Sequence, residues 1–589
     1  MARTAVGVIS PRLRELAGEL RSVDALRSPG PAPRRSSQEH VRTLRMRTPA
    51  GGEISATFTL GPGETLVPAA GPRMVAVIGD AAGDEQHRIR IHTAGETDVE
   101  LAHDEAPVSP GARALGRGFL WVRRDRTLRP HRLLWWHPQT VRPTVLAEEP
   151  DPARRLELRS ADADTAILAS RGPSTTRHRI ITARDGTVPS CRALTPNGVD
   201  GDVAVWRGSV VVLERTSGLL RQASRGGVMA EAPPGFSAEH LQVSGDALLV
   251  VGRADGRRAV WLPSDGRQGV WTAPPAGTML PAVDPAEGRL MLLASSPVHR
   301  PQVRPAEPGE SLALESTGHA STLSLSAVGD DGTAIPITLF LPPGKQTRPL
   351  VVHVYGAYGI SLEGPFDPFT DDLLTRGVAV AFCHVRGGGE LGPSWHRQGM
   401  ARFRHRTVED VLACVAELRA EPAIAADRIV MTAASAGGLT AAAACLRRPT
   451  WLRGLHLVHP FIDPLGTLMS ARSNLASTDR AEYGDPRDDP GIRDLLRRLS
   501  PLARLQDLPA RSRPLPRAWI RAAENDARAD NDAILAFSRL YSEVSDRPHP
   551  GHVVHRLTPG GHVGGGEADA ADDENLLAHA WMLDVLEAA

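Results

Sequence analysis

The sequence predicts an all-β propeller followed by an α/β domain with a mostly parallel sheet, and two observations lead to this prediction. Short apolar strands separated by Gly, Asp and Pro turns fill residues 45–315, whereas strands alternate with helical segments from residue 316 onward. The chain has 589 residues, which accommodates two large domains. We therefore expect an N-terminal segment or linker at 1–44, the propeller at 45–315 and the α/β domain at 316–589.

The propeller is predicted from regularly spaced short strands. A stretch of about 270 residues is long for a sandwich but suits roughly six or seven blades of about 40 residues each. Long helical patterns are almost absent from this part of the sequence. Representative strands are predicted at 73–78, 88–92, 118–122 and 210–213.

The α/β domain is predicted from a change of rhythm after a linker near 305–318. A helix is expected at 407–420, where apolar residues recur at helical spacing. Uninterrupted apolar strands between such helices are typical of a parallel sheet covered on both faces. These strands are predicted at 350–354, 378–382 and 428–432.

Charge and composition exclude several classes of protein. Lys and Arg number 68, as do Asp and Glu, so the basic excess typical of proteins that bind nucleic acid or anionic membranes is missing. No stretch of about 20 apolar residues predicts a membrane span. The four cysteines form no CxxC pair, which argues against a disulfide framework or a zinc site. We expect a cytoplasmic protein without metal or organic cofactor.

A candidate nucleophile lies at Ser435, between a predicted strand and an Ala-rich helical run. An α/β hydrolase places its serine on such a tight turn, within a G-x-S-x-G pattern. Here Ala433 stands in the first glycine position and Gly437 in the second. The motif alone also fits an ordinary turn of small residues.

Two later features favour the hydrolase interpretation. Asp526 follows the predicted strand that begins at Trp519, and His562 lies in a Gly-rich loop after another strand. The chain order Ser, Asp, His is that of the α/β-hydrolase triad. His562 would then take the proton of Ser435, while Asp526 would orient the imidazole and stabilise its charged form.

With these residues in view, the chain resembles the prolyl oligopeptidase family of serine peptidases, and within that family oligopeptidase B. The strongest match is the run HVRGGGELG at 384–392, followed by Trp395. The resemblance covers roughly residues 70 to 589. Further matches are YGAYG at 355–359 and SAGG at 435–438, with weaker ones at 83–85, 125–130 and 148–151.

The resemblance implies an oxyanion hole and a substrate-binding arginine. Tyr355 matches the family tyrosine whose hydroxyl acts with the backbone N–H after the nucleophile, here that of Ala436. Arg528 matches an arginine that binds a carbonyl on the acyl side of the substrate. An exposed arginine without a role is the alternative for Arg528.

The resemblance also bears on specificity through Asp479. This position matches the tryptophan that stacks on proline in prolyl-specific members and a glutamate in oligopeptidase B. Asp479 would therefore favour Arg or Lys at P1, since a desolvated carboxylate discriminates against uncharged side chains. A solvated loop aspartate is the alternative, and the second acidic residue of the oligopeptidase B pocket corresponds to Ala481.

The sequence departs from the family at its start. An Asp-Pro-Tyr-x-Trp-Leu type motif usually precedes the propeller, and none occurs here. We expect the first blade or its closure to be altered, which could change how the domains gate the site.

The resemblance thus implies a serine oligopeptidase that cuts short or flexible peptides through an acyl-enzyme. A dedicated leader or maturation peptidase, or an acyl transferase, of a biosynthetic peptide pathway is one alternative. A small-molecule esterase is another, because the same triad serves esters. A catalytically silent, peptide-binding propeller is disfavoured by the retention of Ser435, Asp526, His562 and Tyr355.

Overall fold

A computed structural model describes most of the chain between residues 40 and 587. The predicted linker within 1–39, the family match at 83–85 and several predicted turns lie outside the described residues. The gaps fall at 48–52, 61–64, 69–73, 81–85, 94–98, 101–106, 141, 162–163, 173–174, 185–186, 196, 224–226, 245, 264–268, 285–287, 308–311, 345, 471–475, 547–550 and 563–567.

The N-terminal part forms a series of small antiparallel sheets, in each of which consecutive strands are neighbours. Among the described residues there are one two-stranded, five four-stranded and one three-stranded sheet. The first strand begins at His40, inside the segment that we expected to be a linker. In chain order the sheets are β1 His40–Arg47 and β2 Glu53–Leu60; β3 Thr65–Pro68, β4 Met74–Gly79, β5 Arg88–Thr93 and β6 Val99–Glu100; β7 Arg113–Leu115, β8 Gly118–Arg124, β9 Pro130–Trp136 and β10 Thr144–Glu148; β11 Arg155–Ala161, β12 Thr165–Arg171, β13 Thr176–Arg184 and β14 Thr187–Ala193; β15 Gly201–Trp206, β16 Ser209–Glu214, β17 Leu219–Gln222 and β18 Val228–Glu231; β19 Phe236–Ser244, β20 Ala247–Ala254, β21 Arg257–Leu262 and β22 Gly269–Thr272; and β23 Thr278–Val283, β24 Leu290–Ser296 and β25 His299–Pro305.

Most successive sheets pack against each other through their apolar faces. Ile89 of β5 lies in one buried cluster with Trp121 of β8, and comparable clusters join later pairs of sheets. The sheets of β11–β14 and β15–β18 are instead joined by an ion pair, in which the partly buried Arg159 donates to the buried Asp202 over 3.0 Å. Asp202 also accepts the backbone N–H of Leu241 on the following sheet, so one carboxylate ties three sheets together.

The C-terminal part is built on one eight-stranded sheet among the described residues. Its order is β26-β27-β29-β28-β30-β31-β32-β33, and every pairing from β29 to β33 is parallel. The mostly parallel sheet is thus confirmed. Its strands are β26 Ser321–Val328, β27 Ala334–Leu341, β28 Arg348–Val354, β29 Ala379–Cys383, β30 Ile424–Ala434, β31 Gly454–Val458, β32 Arg517–Ala523 and β33 Val553–Thr558.

Helices cover both faces of this sheet, and each face has its own buried apolar cluster. The helix expected at 407–420 begins three residues earlier, at Arg404, after a short 3-10 turn at Ala401–Phe403. No helix in the described part of the chain is both long and apolar enough to cross a membrane. The α-helices are α1 Pro368–Thr375, α2 Pro393–Arg397, α3 Arg404–Ala420, α4 Ala436–Arg447, α5 Pro464–Met469, α6 Ala476–Tyr483, α7 Pro490–Leu499, α8 Pro501–Gln506, α9 Asn531–Val544 and α10 Ala568–Glu587, with a second 3-10 turn at Pro449–Trp451.

The two parts of the chain contact each other through the loop that follows β28. Glu363 in this loop accepts hydrogen bonds from Arg253 and Arg258 of the small sheets, the second with a length of 3.1 Å. The backbone N–H of Phe366 donates to the hydroxyl of Ser295 over 2.7 Å. These polar contacts join the small-sheet part to the large sheet.

Candidate active site

Ser435 occupies a strained turn between β30 and α4. Its backbone has φ 51° and ψ −125°, a conformation that residues with a side chain rarely adopt. The turn is held on both sides, because the N–H of Ser435 donates to Val458 O over 2.9 Å and its carbonyl accepts the N–H of Phe461 over 2.8 Å. Such a strand-turn-helix geometry projects a serine hydroxyl above the sheet.

Small residues around Ser435 are required by the tight packing. A Cβ atom at Gly437 would lie 2.9 Å from Val354 O and 3.0 Å from the Cα of Tyr355. Ala433 occupies the usual position of the first motif glycine, pairs with Leu457 on β31 and is buried in the sheet core. The methyl group of Ala433 is therefore accommodated there.

His562 and Asp526 form a hydrogen-bonded chain with Ser435. The Nε2 atom of His562 lies 2.8 Å from the Oγ of Ser435, and its Nδ1 lies 2.8 Å from the Oδ2 of Asp526. Since an ionised carboxylate only accepts hydrogen bonds, Nδ1 is the donor and Nε2 is left to accept the serine proton. The arrangement can serve a serine nucleophile and a general base.

Asp526 is enclosed by hydrogen-bond donors. Its side chain is fully buried, and Oδ1 accepts the backbone N–H groups of Arg528 and Ala529, each over 2.8 Å. Burial alone would raise the pKa of this carboxyl, but the hydrogen bonds from His562 and from the two backbone groups outweigh burial and lower the pKa. Asp526 therefore stays ionised beside the imidazole.

Tyr355 follows the last residue of β28, which runs parallel to β30. Its backbone lies against Gly437, two residues beyond Ser435. Burial raises the pKa of the Tyr355 hydroxyl, so the hydroxyl is a donor at neutral pH. Ala436 is the first residue of α4 and is buried. Its N–H is one of those at the helix start that are available to an anion.

The glycine-rich run at 384–392 supports the loop that carries Tyr355. A Cβ at Gly387 would lie 2.3 Å from Gly356 O, so only glycine allows the two loops to approach. The N–H of Gly359 donates to Gly387 O over 3.0 Å. Arg386 of the same run is buried and donates through Nε to Asp410 over 2.8 Å.

Asp479 lies on α6 and is only 6% exposed, so the alternative of a solvated loop aspartate is wrong. The hydroxyl of Tyr358 donates to its Oδ1 over 2.7 Å. Burial raises the pKa of Asp479 to about 6, although the Tyr358 hydrogen bond opposes this shift. Near neutral pH this carboxylate is thus mostly charged but poorly compensated.

Arg528 lies close to the same group of residues. It is exposed, and its positive charge lowers the pKa of both Asp479 and Tyr355, against the larger effect of burial. The three residues come from three different segments of the chain. The structure therefore brings Arg528, Asp479 and Tyr355 into one region beside the triad.

Comparison with known proteins agrees with the geometry. Residues 366–588 match the model of the prolyl oligopeptidase family, a range that holds Ser435, Asp526 and His562. This part of the chain is similar to the prolyl oligopeptidase family. The matched range ends one residue before the last residue of the sequence.

Curated relatives match over the same part. A protein named prolyl endopeptidase-like from Homo sapiens is 33% identical over 259 residues, which cover 42% of this chain and 35% of that protein. The corresponding protein from Xenopus laevis is 32% identical over 298 residues, with 48% and 41% covered. The chain thus spans well under half the length of these prolyl endopeptidase-like relatives.

Solved structures match over nearly the whole chain. Oligopeptidase B from Leishmania major superposes with a TM-score of 0.79 at 18% identity, covering 98% of this chain and 89% of that one. Prolyl oligopeptidase B from Galerina marginata, bound to a 35mer hydrolysis and macrocyclization substrate, gives a TM-score of 0.75 at 13% identity, covering 98% and 91%. The prolyl oligopeptidase fold therefore extends beyond the range matched by sequence.

Glu482 is a buried carboxylate near this site that the sequence analysis did not identify. It is 3% exposed and accepts from the backbone N–H of Tyr358 over 2.8 Å, with the Nε2 of His396 2.7 Å from its other oxygen. Arg404 lies 3.4 Å away and is also buried. In the sequence, the signal for Glu482 was its position three residues after Asp479, which places both carboxylates on one face of a helix. Since these partners satisfy Glu482, it supports the loop that carries Tyr358.

His459 was also missed. It follows β31 directly, is 8% exposed, and its Nδ1 lies 3.0 Å from the carbonyl oxygen of His562. The two imidazole rings are 5.6 Å apart between centroids. Burial lowers the pKa of His459, so it is neutral at physiological pH. The signal for His459 in the sequence was its position directly after β31, the neighbour of the strand β30 that leads to Ser435.

Proposed function

We propose that this protein is a serine peptidase that hydrolyses peptide bonds through an acyl-enzyme on Ser435. The observation that carries the proposal is the continuous hydrogen-bonded chain from Ser435 through His562 to Asp526. The match of residues 366–588 to the prolyl oligopeptidase family model supports peptides as the substrate class.

The proposed reaction proceeds in two halves. Ser435 Oγ attacks the scissile carbonyl carbon while His562 Nε2 takes its proton, and the tetrahedral intermediate expels the amine, which receives that proton. Water then attacks the acyl-enzyme, again losing a proton to His562, and the carboxylic acid leaves as Ser435 recovers its hydrogen. Asp526 keeps Nδ1 protonated throughout and stabilises the imidazolium.

The oxyanion would be stabilised by two donors. These would be the Tyr355 hydroxyl, just after β28, and the N–H of Ala436, at the start of α4. Removing one such donor typically costs about 10²–10³ in kcat. The raised pKa of Tyr355 supports this role, because it keeps the hydroxyl protonated.

We further propose that Asp479 binds a basic P1 side chain and that Arg528 binds a carbonyl on the acyl side. Asp479 is buried, carries one side-chain hydrogen bond from Tyr358, and would gain most from a guanidinium or ammonium partner. Ala481 leaves Asp479 without the second acidic residue expected from oligopeptidase B. Arg or Lys preference is therefore proposed on a single carboxylate.

We assign residues 45–315 to a β-propeller and 316–589 to an α/β-hydrolase domain. The serial packing of the small sheets and the likeness to oligopeptidase B support this division. Hydrogen bonds of Glu363 join the two parts. They support a propeller that covers the active site and admits only short or flexible peptides. A cytoplasmic location is supported by four cysteines that form no disulfide.

The test is hydrolysis of short fluorogenic peptides that carry Arg, Lys, Pro, Ala or Phe at P1. The unchanged protein should cleave after Arg or Lys, and Ser435→Ala should abolish this cleavage while the protein remains folded. Cleavage after proline would contradict the assignment of Asp479 and keep the peptidase proposal. Turnover of small esters without any peptide turnover would contradict the proposal in favour of an esterase.

The maturation peptidase and acyl-transfer alternatives find no specific support among the described residues. The Galerina marginata structure concerns a macrocyclization substrate, but at 13% identity that likeness extends to the fold alone. If no peptide of the panel is cleaved although Ser435 still reacts with a fluorophosphonate, these alternatives would be favoured.

A further inference from the structure

Five adjacent parallel strands each place one residue at the same edge of the large sheet. Strands β28, β30, β31, β32 and β33 are neighbours in that order, and ligands bind at the carboxyl ends of such strands. Four of these strands lead to residues of the proposed mechanism. The five residues are Tyr355, Ser435, His459, Asp526 and His562.

His459 belongs to a short segment that fastens the triad-bearing elements together. Val458 and Phe461 hold the backbone of Ser435 through two hydrogen bonds, of 2.9 and 2.8 Å. The N–H of His459 donates to Arg521 O over 2.7 Å, on the strand that leads to Asp526. The segment 458–461 therefore already contacts the nucleophile turn and the strand before the aspartate.

The side chain of His459 extends these contacts to His562. Because a carbonyl oxygen can only accept, the 3.0 Å contact makes the Nδ1 of His459 the donor to His562 O. Its Nε2 is buried and has no hydrogen-bond partner in the described part of the chain. The Nδ1 contact is thus the polar interaction that holds this ring.

We propose that His459 is a positioning residue that fixes the backbone of His562 through its Nδ1–H and so sets the reactivity of Ser435. This inference rests on the proposed function. His459 contacts neither the Ser435 hydroxyl nor the Asp526 carboxylate by hydrogen bond among the described interactions, so its effect passes through His562. A further backbone contact of the loop after β33 is the hydrogen bond from Asn525 N–H to Gly560 O, over 2.9 Å.

Two substitutions separate this role from simple packing. His459 has φ 45°, a left-handed conformation that asparagine and glycine tolerate, so neither His459→Asn nor His459→Gly strains the backbone. Asparagine can present an amide N–H close to the position of Nδ1, whereas glycine presents no donor. His459→Asn is therefore the matched control for His459→Gly.

The measurement is the rate of Ser435 labelling by a fluorophosphonate, together with kcat and KM for a cleaved peptide. His459→Gly should slow labelling and kcat by about 10-fold or more, because small misplacements of a catalytic group can cost up to about 100-fold. KM should change less than about twofold, and His459→Asn should recover labelling to within about threefold of the unchanged protein.

Three outcomes would overturn an inference. Labelling at the unchanged rate in His459→Gly would contradict the positioning role. Equal losses in both variants, with equal losses of melting temperature, would assign His459 to packing instead. An unchanged protein whose Ser435 does not label at all would overturn the proposed function, and the positioning role would fall with it.

Discussion

Two buried aspartates flank the candidate site, and their surroundings give them opposite properties. Asp526, after β32, accepts hydrogen bonds from His562 and from two backbone N–H groups, and its pKa is lowered. Asp479, on α6, accepts one from the Tyr358 hydroxyl, and burial raises its pKa to about 6. Both are nearly inaccessible to solvent, so burial alone does not distinguish them.

The difference teaches that hydrogen-bond donors and neighbouring charges, the Glu482 carboxylate beside Asp479 among them, together decide the state of a buried carboxylate. Three donors compensate Asp526 within the folded protein, which suits a residue that must stay charged in every step. The hydrogen bond that Asp479 accepts does not offset the desolvation of its carboxylate. This suits a residue that pairs with a cationic group of the substrate. The predictions that follow change one carboxylate or one donor at a time.

The largest effect is expected from Asp526→Asn. The amide can donate to Nδ1 of His562, which favours the tautomer with its proton on Nε2. A protonated Nε2 can no longer accept the proton of Ser435. We expect kcat to fall by about 10³–10⁴ with little change in KM. Steady-state kinetics on a cleaved peptide measure this. A loss below tenfold would mean that Asp526 does not control the imidazole.

A smaller and selective effect is expected from Asp479→Asn. The kcat/KM for an Arg peptide should fall by about 10–100-fold, the value of a hydrogen bond to a charged group, while a Phe peptide changes little. The ratio of the two kcat/KM values cancels the effects of pH that are common to both substrates. In the unchanged protein this ratio should rise with pH through about 6, as Asp479 ionises, and the rise should vanish in Asp479→Asn.

The control for this prediction is Asp485→Asn. Asp485 follows α6 and is paired with Arg487, so its removal takes away a nearby negative charge outside the proposed pocket. The Arg-to-Phe ratio should keep its unchanged value and pH dependence. Loss of the Arg preference in this variant as well would assign the preference to overall charge instead of Asp479.

Removal of the single donor to Asp479 should shift its titration. Tyr358→Phe takes away a hydrogen bond that favours the ionised form, so the midpoint of the Arg-to-Phe ratio should move up by about one pH unit. Tyr483→Phe is the matched control, because the Tyr483 hydroxyl is buried without a hydrogen-bond partner among the described residues. An equal shift of this midpoint in both variants would contradict the assignment of Tyr358 as the donor that lowers the pKa of Asp479.

The smallest effect concerns stability. Folding raises the Asp479 pKa from 3.8, so the protonated carboxyl stabilises the folded state at low pH, and this contribution is lost as pH rises through about 6. Asp479→Asn cannot ionise and should therefore raise the free energy of unfolding above pH 6 by about 1–3 kcal/mol, with a gain several-fold smaller at pH 4. Urea unfolding at both pH values measures this, and an equal change at both would exclude ionisation as its cause.

Much of the site could be predicted from the sequence because catalytic residues of an α/β sheet follow its strands. Ser435, Asp526 and His562 each stand just after an apolar run, and parallel strands bring such positions to one edge. Glu482 and His459 could not be identified this way. Their roles depend on burial and on partners from distant segments, such as Arg404 for Glu482, which only the packed structure brings together.

The fold was predictable in kind but less so in detail. Strand runs such as 118–122 and 210–213 correspond to β8 and β16, because their aromatic and β-branched residues favour strands locally. The sheet of three strands, β23–β25, and the first strand at His40 were not anticipated. Sequence similarity between the predicted blades is weak, so the number of strands in each sheet cannot be read from a repeat. That number depends on pairing between strands, which only the folded structure shows.

The most direct test of the account is to titrate the protein with a fluorophosphonate while following peptide hydrolysis. Intact-mass measurement and peptide mapping would locate and count the label. We predict one label per chain, on Ser435, with hydrolysis falling in proportion to labelling and reaching zero at full labelling. Hydrolysis that persists after Ser435 is fully labelled would contradict the account.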